Sequence, residues 1–164
     1  MNTEARQVLR RLVQERSTLA LGTLQADKPY VSLAPFAVSP TGMSLIIHAS
    51  QLAAHTQNMQ ENPQVSALVS EQEDSGKMPQ SLARATIQGL AREVSNEEPG
   101  YPLMREAYLR RFPDSAPMFD FTDFHLFLID VISVRLITGF AQAITVNADS
   151  FAATVHNVDG EVQE

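Results

Sequence analysis

The stretch "ASQLAAHTQNMQENPQVSALVS", Ala49–Ser70, sets a short polar helix between two segments that read as strands. Its position decides what kind of sheet the chain can build. Upstream, "MSLIIHAS" (43–50) is a compact apolar run, and downstream "QVSALVS" (64–70) alternates apolar and polar residues. Between them, Asn62-Pro63 stops a helix over 51–61, because the residue before proline is pushed out of the helical region. Ser50 stands where a helix N-cap belongs, and its hydroxyl is expected to cap the first-turn amides.

Working outward, residues 3–16 place Ala5, Val8, Leu9, Leu12 and Val13 at spacings of three and four, with Thr3 as the expected cap. "STLALGTL" (17–24) reads as a strand, "QADKP" as a turn, and "YVSLAPFAVS" (30–39) as a second strand, so that with 43–50 three strands follow in meander order. Proline cannot donate to a ladder, so Pro35 puts the second strand at an edge or bends it there. "LARATIQGLAREVS" (82–95) pairs with 64–70 across a long loop, and its Ala83, Ala85 and Ile87 alternate with Arg84, Thr86 and Gln88. A helix over 102–113, two strands within 120–146 and a polar tail over 147–164 complete the chain. The pattern is one domain over 1–164, mainly β with short helices: a six- to seven-stranded antiparallel split β-barrel.

Composition narrows the chemistry. The 164 residues contain no cysteine, which removes disulfides, thiolate metal sites and a cysteine nucleophile. A formal charge of −7 opposes binding to nucleic acid and to anionic membranes. No apolar run reaches the about 18 residues of a membrane span, and the charged first residues do not resemble a signal peptide, so the expected location is cytoplasmic. His48, His55, His125 and His156 show no metal-ligand spacing, and the glycines form no phosphate-cradling loop, so no metal site and no catalytic residue is assigned. Phe119, Phe121, Phe124 and Phe127 read as core and interface filling.

Three places remain for a ligand. The start of the 51–61 helix attracts an anion, with His55 and Thr56 one turn further in. Arg84 faces away from Ala83 and Ala85 and offers a bidentate contact to a phosphate, or else pairs with a surface acid. Ser32, Ala34 and Pro35 leave room for a planar aromatic ligand, or simply fit the taper of a small barrel.

These signals come in one order. From Leu19 to Val146 the chain resembles the pyridoxamine 5′-phosphate oxidase-like, FMN-binding split-barrel proteins, most closely the haem-utilisation (HugZ-type) branch. The resemblance is carried by "LALGTLQADKPYVSLAPF", "GMSLIIHASQLAAHTQNMQENPQVSALV", "ARATIQGLAREV" and "YLRRFPDSAPMFDFTDFHLFLIDVISVRLITGFAQA". It implies a homodimer with FMN in the cleft between subunits, the phosphate around Ser50, His55 and Thr56 with Arg84 approaching, and Ser32, Ala34 and Pro35 bordering the flavin ring. The activity implied is that of an FMN-dependent oxidoreductase acting on a small molecule. Two features depart from the oxidase: Ala54-His55 replaces an Arg-Lys pair, and Ala85 replaces a glutamine. The second argues against pyridoxamine phosphate oxidation; the first favours the alternative of a haem-binding or haem-utilisation protein, with His48, His55 and His125 as candidate iron ligands, or a regulatory barrel without flavin.

Overall fold

The computed structural model describes residues 1–73, 76–140 and 142–156. Helix α1 (Thr3–Glu15) leads into β1 (Thr18–Gln25), β2 (Lys28–Pro35), β3 (Ala37–Val38) and β4 (Ser44–Ser50); α2 (Ala54–Glu61) then precedes β5 (Gln64–Ser70) and β6 (Arg84–Val94). Helix α3 (Tyr101–Arg111) and a 3-10 segment (Pro113–Asp120) come before β7 (Phe124–Gly139), β8 (Gln142–Asn147) and α4 (Ala148–Val155). The eight strands form one antiparallel sheet in the order β2-β1-β5-β6-β7-β4-β3, with β8 on β7.

The two ends of that order, β2 and β3, are consecutive in the chain, joined through the fully buried Phe36. A sheet whose edges are tied by one residue must curl, which makes it a barrel split at that seam. Pro35 ends β2 on the edge, as its missing amide requires. The expected three-strand meander is therefore corrected: 28–35 pairs with β1, and after the break 37–38 pairs with β4 on the far side of the sheet. The Gln25–Lys28 hairpin closes on Ala26 and Asp27, both at positive φ (46° and 61°), the twist that two-residue hairpins need.

The barrel interior is filled by Leu19, Leu21, Leu45, Ile47, Ala67, Ala85, Ile87, Phe127, Ile129 and Leu136, and α1 and α4 add Leu9, Leu12 and Phe151. A second apolar layer lies outside the barrel, where Ile46, Val94, Leu126 and Leu128 meet Tyr108 of α3. Between Gln88 and Gly89 the β6–β7 register slips, and a Cβ on Gly89 would stand 2.5 Å from the Asp130 carbonyl oxygen. Only glycine allows that approach. Two helix boundaries also differ from expectation. Asn2, not Thr3, caps α1, accepting from the Ala5 amide at 2.8 Å. The polar tail begins with α4, capped by Asn147, whose Phe151 and Val155 are buried; residues 157–164 lie outside the described residues.

Candidate functional site

Helix α2 sits on one end of the barrel, against β1, β2 and β6. Its polar residues are mostly spent on holding it there. The Thr56 hydroxyl, fully buried, donates to the Ser50 carbonyl at 2.7 Å, and the Asn58 amide nitrogen donates to Thr23 Oγ1 at 2.9 Å. A buried polar side chain without such a partner costs about 1–3 kcal/mol, so these bonds fix the helix to β4 and β1.

Ser50 is not the N-cap. The turn Gln51–Ala53 intervenes, Ala53 occupies the cap position without a side-chain bond, and the Ser50 hydroxyl accepts from the Leu52 amide at 3.1 Å. The same hydroxyl donates to Asp123 Oδ2 at 2.8 Å. The anion seat expected behind residue 50 thus already carries a carboxylate of the chain, and like charge repels a second anion there. Nothing in the local sequence announces Asp123, which lies in the turn just before β7.

His55, in the first turn of α2, does have an accessible chemistry. Its Nδ1 lies 2.9 Å from Ser32 Oγ on the edge strand. Burial holds its pKa below the ordinary imidazole value, so the ring is neutral at pH 7. In the tautomer whose Nδ1–H donates to the Ser32 hydroxyl, Nε2 carries the lone pair and is the nitrogen left for a ligand among the described contacts. At the same end of the barrel the His125 ring pairs with Glu93 Oε1, and Glu93 Oε2 accepts from Gln60 at 3.1 Å. A belt of polar groups therefore joins α2 to β6 and β7.

The other expected residues do not converge on this end. Arg84 starts β6, opposite Ser70 and Ile137, whereas α2 meets β6 at Glu93 near its other end. As expected it faces away from the buried Ala83 and Ala85, and it donates to the Leu82 carbonyl at 2.9 Å. The expected approach of Arg84 to Ser50, His55 and Thr56 is thus not made within one chain, because a strand length separates them. Ala34 is 1% exposed and packs in the core opposite Leu19, so it borders no surface ligand; Pro35 is exposed at the strand end. Among the described residues no group of three His, Asp or Glu side chains is placed to hold a metal ion.

His48 is turned the other way, into the layer under α3. Its ring stacks on Phe119 at 3.7 Å and 4°, with Tyr108 edge-on at 5.7 Å and Phe124 at 5.1 Å. Burial, helped by the charges of His125 and Arg105, lowers its pKa to about 4, and burial pushes Tyr108 up to about 12. Sealed among rings, His48 is packing and not an iron ligand.

Comparison with known proteins fits this architecture. The family described as CREG, beta-barrel, matches residues 1–153. The chain belongs to the CREG beta-barrel family. Within reach of this family, the chain is 32% identical over 149 residues to the heme oxygenase HutZ of Vibrio cholerae serotype O1, covering 90% of this chain and 84% of that protein. The crystal structure of HutZ, described as a heme storage protein, superposes with a TM-score of 0.68 at 30% identity, covering 75% of this chain and 87% of that one. A heme binding protein from Mycobacterium smegmatis gives a TM-score of 0.80 at 21% identity; it covers 93% of this chain, which spans 62% of that longer one. A pyridoxamine 5′-phosphate oxidase-like structure from Listeria innocua gives 0.63 at 18% identity, covering 82% of this chain and 98% of that one. The last two speak for the fold alone. The split-barrel resemblance and its haem-utilisation branch therefore hold, and no described helix is long and apolar enough to cross a membrane.

Proposed function

We propose that this barrel binds haem and serves haem utilisation, with His55 as the side chain that meets the iron. The observation that carries the reading is the Ser32–His55 pair: burial keeps the ring neutral, and the Ser32 hydroxyl, accepting from Nδ1–H in this reading, fixes the ring with the Nε2 lone pair outward. The relationship to HutZ supports it. Haem, when bound, supplies a redox-active iron; the chain's own part is to orient His55 and to keep the ring free of a competing proton at pH 7. His125, tied to Glu93, is the second imidazole at this end.

The same reading includes a homodimer in the cytoplasm. Val31 and Leu33 are 67% and 70% exposed on the edge strand, and the cross-strand row continues through Ala20 to Leu68, itself 39% exposed. A second copy covering this strip would remove it from water.

FMN is the second reading, and one feature of the site bears on it: Arg84 comes near α2 only if another copy supplies it. Ser50 and Thr56, the other expected phosphate contacts, are occupied within the chain.

The test is the absorbance of the natively purified protein, followed by stoichiometric addition of hemin and, separately, of FMN. A saturable Soret shift at one hemin per chain, kept in His48→Phe, supports the proposal. Flavin bands that persist through purification, with no saturable Soret shift, overturn it in favour of FMN. Adding ascorbate in air to the hemin complex then distinguishes degradation, which bleaches the Soret band, from storage, which leaves it.

A further inference from the structure

On a different side of the molecule, a cleft of about 380 Å³ opens between α1, α3, the β3 turn and the end of α4. None of its lining residues belongs to α2 or β2, so it is separate from the Ser32–His55 pair. Its size falls within the range of small-molecule sites. The walls are apolar, with Val13 from α1, Val38 and Pro40 from the β3 turn, Leu103 and Ala107 from α3, and Val155 from α4. Leu103 is 57% exposed and gives the cleft an accessible apolar side chain.

The charge here runs against that of the whole chain. In a protein of net charge −7, the cleft gathers, among the described residues, Arg10, Arg110 and Arg111 and one carboxylate, Glu106. The three arginines play different parts. Arg111 clamps α3 to α1, donating to the carbonyls of Val13 at 2.9 Å, Gln14 at 3.1 Å and Arg16, with its guanidinium 4.7 Å from the Phe36 ring. Arg110 pairs with Glu106 at 3.3 Å. Arg10, half-buried, donates its Nε to the Thr154 carbonyl at 3.1 Å, and no carboxylate among the described residues pairs with it. That single bond holds the guanidinium at the cleft and leaves its terminal nitrogens as a fork suited to a carboxylate.

We propose that the cleft binds an amphipathic monocarboxylate of the fatty-acid class, its carboxylate on Arg10 and its chain along Val38, Leu103 and Ala107. Apolar walls alone would accept any hydrocarbon; the Arg10 guanidinium, paired with no carboxylate of the described residues, selects an acid. The alternative occupant is the chain's own end, since residues 157–164 follow His156 at the rim and include Asp159, Glu161 and Glu164.

The experiment is calorimetric titration of the full chain with decanoate, with decanol as the uncharged comparison. The expected result is one decanoate per chain, weakened at least about tenfold in Arg10→Met, which keeps the apolar stem but removes the charge. Leu103→Trp, an exposed position that fills the cleft, should abolish binding while the fold stays intact. Hemin titration should be the same in all three proteins, which separates this site from the haem reading. Three results overturn the proposal: no saturable binding by the parent chain, equal binding by Arg10→Met, or binding seen only after Asp159→Asn, Glu161→Gln and Glu164→Gln are introduced together. The last would assign the cleft to the chain's own terminus.

Discussion

His48 and His55 stand on the two sides of one turn, between the end of β4 and the start of α2, and both are held neutral by burial. Their surroundings differ in kind. Around His48 the partners are rings, with Phe119 stacked flat and Tyr108 and Phe124 edge-on or tilted, while around His55 the partner is one hydroxyl, that of Ser32. Low pKa alone therefore does not mark a ligand. A ring enclosed by three aromatic neighbours is structure, and a ring whose Nδ1–H is held by a hydroxyl is available through its other nitrogen.

Replacing each member of that comparison should separate the two roles. The largest effect is expected from His48→Ala, which removes a stacked ring from the layer under α3 and should lower unfolding free energy by about 3 kcal/mol in a denaturant melt. Hemin binding should stay unchanged.

Acid should reproduce part of that loss. The folded pKa of His48 is about 4, below the ordinary 6.5, so the unfolded chain binds the proton first. Stability from this group is complete above pH about 6.5, falls as pH drops toward 4, and levels off below, a total of about 3 kcal/mol. His55 shifts in the same direction and adds to the slope. Melts from pH 7 to 4 should show the decline, and His48→Phe should flatten most of it.

At the other end, Asn58→Leu leaves Thr23 without its buried donor and should cost about 1–3 kcal/mol, detectable as a lowered melting temperature. The smallest effect is expected from Ser32→Ala. It should weaken hemin by about fivefold, the worth of roughly 1 kcal/mol for one orienting hydrogen bond, with little change in stability.

Much of the barrel is legible before any coordinates. Alternation in β6 puts Arg84 outside and Ala83, Ala85 and Ile87 inside, and Pro35 marks the break at the seam. What stays hidden has a common cause, namely that it depends on contacts distant in sequence. All but the last residue of β4 are buried, because the barrel covers one face and α3 the other, so no alternation betrays which way His48 points. Ser50 meets an acid 73 positions away, and that partner converts an expected anion seat into an anchored turn. Residues 147–164 read as a polar tail when taken whole, yet Phe151 and Val155 of α4 bury against the barrel and α1. The Ser32–His55 contact also spans elements, although both residues were legible as candidates.

The central claim, that His55 offers its Nε2 to a haem iron, is tested most directly by hemin titration of His55→Ala beside the parent chain, followed by the Soret band. The account predicts a saturable shift in the parent and, in the folded variant, loss of that shift with recovery on adding imidazole. An identical shift and affinity in His55→Ala would contradict it.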